Sequence, residues 1–272
     1  MNLSNTFRQG LIALKHTICP IRPWGFICVF SEMKTFPLML ESLRGAVDRG
    51  VIATHVGNSD ETVAYAKQFC EAHPGFTFFE YPHTVVPAFS ERYLEDLPYE
   101  NTLAAYYNAA LALIPEGQWF VKLDADQIYD ASLLKEAFRL IQTPRDRVDF
   151  PRLNVVIKEG RAEALSYICP HDQWILKKRA GVHFKNVVGY TDEHEYYAYE
   201  LLVSDTPFER TSKALTIHFP FEKSWRPLPP EVPTYPLASV IERIPASERT
   251  DFVSLENVER ICAKIKAFNG GV

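Results

Sequence analysis

The sequence predicts an α/β fold in which helices flank a mostly parallel central sheet. Three observations carry this expectation. Short apolar segments rich in β-forming residues alternate with helix-length amphipathic segments from residue 24 onward, and the turns between them are short and polar. One apolar segment, Trp119-Phe120-Val121-Lys122-Leu123, runs directly into Asp124-Ala125-Asp126. Strands separated by helices pair in parallel through right-handed crossovers, and ligands then gather at the carboxyl ends of the strands.

Taken in order, Phe26-Ile27-Cys28-Val29-Phe30 reads as the first strand, and Leu38, Leu40, Leu43 and Val47 follow at helical spacing. Residues 51–56 form a second strand, Gly57-Asn58-Ser59-Asp60 a turn with an N-cap, and residues 61–72 a helix that stops before His73-Pro74-Gly75. A third strand covers 76–80. Residues 81–100 are less regular, and 101–114 is a helix closed by Pro115-Glu116-Gly117. After the strand at 119–123, another helix begins at Ala131 or Ser132. Beyond residue 150 the pattern breaks into short strands, an acidic and aromatic stretch at 190–200, and a Pro-rich segment over 227–236. A final helix spans about 255–268. The expected organisation is an N-terminal extension over 1–23, one α/β domain over 24–225, and a Pro-rich segment with a C-terminal helix over 226–272. Residues 3–18 read as a short amphipathic helix, packed on the domain or touching a membrane surface.

Composition sets the outer limits. The chain has 272 residues, 47% of them hydrophobic, which is ample for a core. With 29 Lys+Arg against 34 Asp+Glu the formal net charge is −5, so no general attraction draws the phosphates of a nucleic acid. Five scattered cysteines, Cys19, Cys28, Cys70, Cys169 and Cys262, never stand in a C-x-x-C spacing, which argues against a disulfide framework and a zinc cluster. No apolar run approaches the roughly 18 residues of a membrane span, and the N-terminus lacks a convincing cleavage site. These features predict a cytoplasmic protein.

The chemistry points to Asp124 and Asp126. A strand's period of two turns both carboxylates the same way if the extended geometry persists, and two aligned hard oxygens suit Mn²⁺ or Mg²⁺. Such a cation keeps positions open for water and phosphate oxygens, as a diphosphate substrate requires.

Over about residues 24–140 the chain resembles the GT-A fold glycosyltransferases, especially inverting family 2. The resemblance rests on His55-Val56-Gly57-Asn58-Ser59-Asp60-Glu61-Thr62 after the second strand, Tyr107-Asn108-Ala109-Ala110-Leu111 in the following helix, and Phe120 to Asp126 as the metal motif. Two departures stand out: Tyr107 where the family often has Arg, and Gly57 or Asn58 where it has a first carboxylate. The resemblance implies a nucleotide pocket drawn from Ser31, Glu32, Asn58, Asp60 and Asp124, to which a second likeness, in the segment from His218 to Trp225, adds Lys223. It also implies a catalytic base in Gly189-Tyr190-Thr191-Asp192-Glu193-His194-Glu195-Tyr196-Tyr197-Ala198-Tyr199-Glu200, with Glu200 first, Asp192 second, and Asp172 as a third candidate.

His218, in a His-x4-Lys-x-Trp arrangement with Lys223 and Trp225, is similar to the C-terminal element of lipooligosaccharide galactosyltransferases, which implies a metal shell of Asp124, Asp126 and His218. Because those enzymes retain configuration, the stereochemistry stays open. Trp174, Tyr196, Tyr197, Tyr199 and Trp225 are candidates for stacking on sugar rings.

The function these features imply is metal-dependent transfer of a sugar from a nucleotide diphosphate, UDP first, to a saccharide or glycolipid acceptor. Family resemblance alone suggests bacterial surface polysaccharide or lipopolysaccharide synthesis, with peripheral contact to the inner membrane. An aspartyl-nucleophile phosphohydrolase would use Asp124 as nucleophile and Asp126 as acid/base, but that motif normally lies on the first strand, and here three strands precede it. The remaining alternative is a non-catalytic glycan-binding domain.

Overall fold

Four parallel strands form one half of a seven-stranded sheet: β1 (Trp24–Cys28), β2 (Gly50–His55), β3 (Phe76–Tyr81) and β4 (Trp119–Asp124), in the order β3-β2-β1-β4. The computed structural model describes residues 21–168, 174–191, 196–206, 208–223 and 225–269. The expected helix over 3–18, with Cys19, Cys169, Asp172 and Asp192, lies outside the described residues. All six residues of β2 are buried, as in a parallel strand covered on both faces. At its start the backbones of β1 and β2 approach so closely that a Cβ on Gly50 would stand 2.4 Å from the Gly25 carbonyl oxygen, which explains the glycine pair.

The helices are α1 (Phe36–Ser42), α2 (Thr62–Ala72), α3 (Leu103–Ala112) and α4 (Ala131–Phe138). Thr102 caps α3 by accepting from the Ala105 N–H, and the Asp130 carboxylate caps α4 by accepting from Ser132 and Leu133. The first helix is shorter than its spacing predicts. It ends at Ser42, before Gly45 at φ +81°, although Leu43 and Val47 are still buried.

Past β4 the seven-stranded sheet continues through β9 (Trp174–Lys177), β6 (Asp146–Asp149) and β12 (Phe208–Thr211), with β9 antiparallel to both its neighbours. A second sheet was not expected from the sequence. It holds β5 (Gln127–Tyr129), β7 (Arg152–Lys158), β8 (Arg161–Ile168), β13 (Thr216–His218) and β14 (Tyr235–Pro236), in the order β14-β8-β7-β13-β5. Because β13 lies between β5 and β7, His218 comes opposite both Gln127 and Asn154. A separate antiparallel ribbon joins β10 (His183–Tyr190) to β11 (Tyr196–Val203).

Strand alternation divides the core. Ile27, Ile52, Val121 and Leu123 face α1, α4 and a C-terminal helix, α5 (Leu255–Asn269), which buries Val258, Ile261 and Ile265 there. Phe26, Val51 and Phe120 face α3 and the ribbon, where Phe184 and Leu202 are buried. Among the described residues no helix is long and apolar enough to cross a membrane.

Candidate active site

The loops leaving β1 and β2 are braced against each other. Ser31 adopts a left-handed φ of +49°, uncommon for a non-glycine residue, and its N–H donates to Asn58 Oδ1 at 2.8 Å. Ser59 N–H donates back to Ser31 Oγ at 2.9 Å, and Met33 N–H donates to Asp60 Oδ2 at 3.2 Å. Asp60 also accepts from Thr62 N–H through Oδ1. Ser31, Asn58 and Asp60 are therefore brought together, with their side chains employed in holding the loops. Beside this brace Phe30 stacks on His55 at 3.9 Å between ring centroids, and Trp225 Nε1–H donates to the Phe30 carbonyl.

The extended geometry that would align the two aspartates stops at Asp124. Ala125 and Asp126 form the turn between β4 and β5, and the carboxylates take different partners. Asp126 is only 3% exposed. Its Oδ2 lies 3.1 Å from His218 Nε2 and 2.8 Å from Lys223 Nζ, and its carbonyl accepts from Phe219 N–H. Lys223 Nζ also reaches buried Glu32 Oε1 at 2.5 Å. His218 Nδ1 lies 2.7 Å from Asn154 Oδ1, whose amide nitrogen donates to Ser166, and this orients the ring with Nε2 toward Asp126.

Burial alone would raise the Asp126 carboxyl, but the Lys223 ammonium and the His218 ring hold it well below the usual carboxylate range. Burial, reinforced by the Asp126 charge and opposed by Lys223, pushes Glu32 up to about 7. For Lys223, burial would lower the ammonium's pKa, but Asp126 and Glu32 more than offset it and keep it raised. One ammonium thus serves two buried carboxylates, with Asp126 the ionised member and Glu32 the one poised near neutrality.

Asp124 belongs to a second cluster, on the α3 face. Its Oδ1 accepts from Lys122 Nζ at 2.6 Å, its Oδ2 lies 3.3 Å from Gln127 Nε2, and its N–H donates to Tyr129 Oη. Lys122 is 4% exposed, with Nζ 5.5 Å from the Trp174 ring and 5.9 Å from the Tyr107 ring. Glu200 pairs across the ribbon with Asn186, in the alternation that buries Phe184 and Leu202 toward α3. Burial pushes the Cys28 thiol far up, Lys122 opposes this, and Asp124 and Glu200 add to it. Burial also raises the Tyr107 hydroxyl, with Glu200 and Asp124 reinforcing. Glu200 and Asp124 therefore act on the same two side chains.

The sequence reading missed Lys122, Gln127, Asn154, Phe30 and His55. A lysine inside an apolar strand reads as a strand residue, and Asn154 acquires meaning only once β7 and β13 pair. Of the aromatic candidates, Trp174 flanks Lys122, Trp225 closes on Phe30, and the Tyr196 hydroxyl donates to the Ser90 carbonyl.

The family model described as "Beta-1,4-N-acetylgalactosaminyltransferase (CgtA)" matches residues 13–187, well over half of the chain. No curated protein sequence matches. Among solved structures the chain is similar to residues 1–349 of TarS from Staphylococcus aureus, at 12% identity and TM-score 0.40, over 91% of this chain and 70% of that one. It is also similar to glucosyl-3-phosphoglycerate synthase from Mycobacterium tuberculosis, solved with Mn²⁺, uridine diphosphate and glucosyl-3-phosphoglycerate. That likeness has 15% identity and TM-score 0.33, over 56% of this chain and 49% of that one. By its family match the chain belongs to the β-1,4-N-acetylgalactosaminyltransferase (CgtA) family, and it is a glycosyltransferase.

Proposed function

We propose that the chain transfers a sugar from a nucleoside diphosphate, UDP in this reading, to a saccharide or glycolipid acceptor, using Mn²⁺ or Mg²⁺ held by Asp126 and His218. The observation that carries the proposal is the convergence of Asp126, His218, Glu32 and Lys223 at the carboxyl ends of β1 and β4. Among the described residues no three His, Cys, Asp or Glu form a metal-holding group. A carboxylate and an imidazole in contact nonetheless fit a hard divalent cation that keeps its other positions for water and phosphate oxygens. When bound, such a cation supplies positive charge against the departing diphosphate.

The chain's own residues do the remaining work. Lys223 offers the diphosphate a second charge, Phe30 and Trp225 offer the nucleobase aromatic faces, and Asp124 accepts hydroxyls of the donor. The family's description supports N-acetylgalactosamine as the sugar and a β-1,4 linkage. From an α-linked nucleotide sugar a β product requires inversion. The acceptor oxygen forms its bond to C1 opposite the departing diphosphate, and a carboxylate takes the hydroxyl proton. Glu200 is that base in our reading, and Asp192 is the other candidate. The reading extends to assembly of bacterial surface polysaccharide or lipopolysaccharide at the cytoplasmic periphery of the inner membrane, where nucleotide sugars and lipid-linked acceptors meet.

The test is incubation of the full chain with UDP-, GDP- and CMP-sugars and a panel of glycosides, with Mn²⁺ or with EDTA, followed by mass spectrometry of products. Metal-dependent glycosylation from a UDP-sugar is the expected result; equal turnover in EDTA contradicts the cation assignment, and preference for another nucleotide contradicts UDP.

A further inference from the structure

We infer that Lys122 is a positioning residue of the transfer reaction: its ammonium, walled by Tyr107 and Trp174, fixes the Asp124 carboxylate toward the donor and keeps it off the cation held by Asp126 and His218. The inference rests on the glycosyl-transfer reading of the site. It begins with a cost. Lysine is almost never fully buried, and Lys122 lies in the middle of β4, between Val121 and Leu123, both wholly enclosed. An apolar residue of similar length would fill that space without losing hydration, and replacing a buried ion pair by packed apolar groups is often neutral or stabilising. Packing therefore does not account for the charge.

Geometry does. Lys122 and Asp124 are two residues apart on a strand, so both side chains leave the same face, and the ammonium meets Oδ1 at 2.6 Å. Two rings within 6 Å of Nζ hold the ammonium in place, and Gln127 steadies Oδ2. Gln127 in turn accepts from Thr216 Oγ1, on the strand that carries His218, so the Asp124 rotamer is tied to the frame of the cation site. Asp126, only two residues on, draws on a different cation, Lys223. Each carboxylate has its own positive partner, which keeps the pair from collapsing onto one ion.

The test compares Lys122→Met in the native background and in an Asp124→Asn background, measuring UDP binding by calorimetry with saturating Mn²⁺ and Mn²⁺ binding alone. If Lys122 acts through Asp124, Lys122→Met weakens UDP about tenfold in the first background. In the second its effect falls below about twofold, because the two changes are coupled. Mn²⁺ affinity should hold in Lys122→Met, and Lys122→Arg should recover part of the UDP loss. An equal penalty in both backgrounds, or a fall in melting temperature with UDP affinity unchanged, overturns the inference. Should Lys122→Met fail to fold, Lys122→Arg with and without Asp124→Asn carries the same comparison. Native protein that takes up no Mn²⁺ contradicts the cation reading instead, while the UDP cycle in Mg²⁺ still judges Lys122.

Discussion

Asp124 and Asp126 are near neighbours in the chain, yet each is paired with its own lysine, and the two pairs are built differently. Lys122 and Asp124 share one strand, so their contact is set by β4 itself. Lys223 reaches Asp126 from the loop after β13, held through a bridge to Arg226 and through Trp225 on the Phe30 carbonyl. The Lys122–Asp124 pair is held by a common strand and by the rings of Tyr107 and Trp174, whereas a loop can release its lysine at modest cost. Under the proposed function this difference gives one acidic motif two purposes: the fixed pair orients, and the releasable pair exchanges a lysine for a metal and a diphosphate.

The sharpest way to break this division is at Asp126. Asp126→Ala should cut turnover about 10³-fold while the circular dichroism spectrum is preserved. Near-native activity would leave the releasable pair without a role. Glu200→Gln comes next. Steady-state kinetics should show kcat down about 10²-fold with donor KM nearly unchanged, as for a base that acts only in the transition state. A rise in KM alone would make Glu200 a binding group.

Lys223→Met addresses the exchange itself. Removing the ammonium takes the lysine partner from two buried carboxylates, which should destabilise the fold by about 3–5 kcal/mol in denaturant titrations. Mn²⁺ should then restore more stability to the variant than it adds to the native protein.

The smallest effect concerns pH. Glu32 is raised in the folded protein from 4.5 to about 7, so its contribution to stability is complete below about pH 4.5 and is lost as pH rises through 7. Asp126 is depressed, so its contribution is present above its unfolded value near 3.8 and is lost under acid. Melting temperatures between pH 5 and 8 should fall less steeply in Glu32→Gln than in the native chain. Identical slopes would remove Glu32 from the shared-ammonium arrangement.

The parallel half of the large sheet was legible because each strand and its helix carry their own periodicity, from the strand at Phe26 to the helix beginning at Ala131 or Ser132. The second sheet was not, since β5, β7 and β13 are short and meet only after long excursions of chain. The same contrast runs through the site. The approach of His218 to Asp126 was foreshadowed by a motif, while its orientation by Asn154 depends on a strand pairing that no local pattern announces. Lys122 was in plain view, but a single charge within Trp119–Asp124 carries no signal until its neighbours are seen to be enclosed. The alignment of the acidic pair failed for a local reason: the strand ends at Asp124, two residues too early for its period to reach Asp126.

The division of labour between the two aspartates is tested most directly by titrating Mn²⁺ into Asp124→Asn and Asp126→Asn, followed by calorimetry or electron paramagnetic resonance without nucleotide. The account predicts that Asp124→Asn binds Mn²⁺ with close to native affinity and Asp126→Asn does not. Equal losses in both variants, or loss confined to Asp124→Asn, would contradict it.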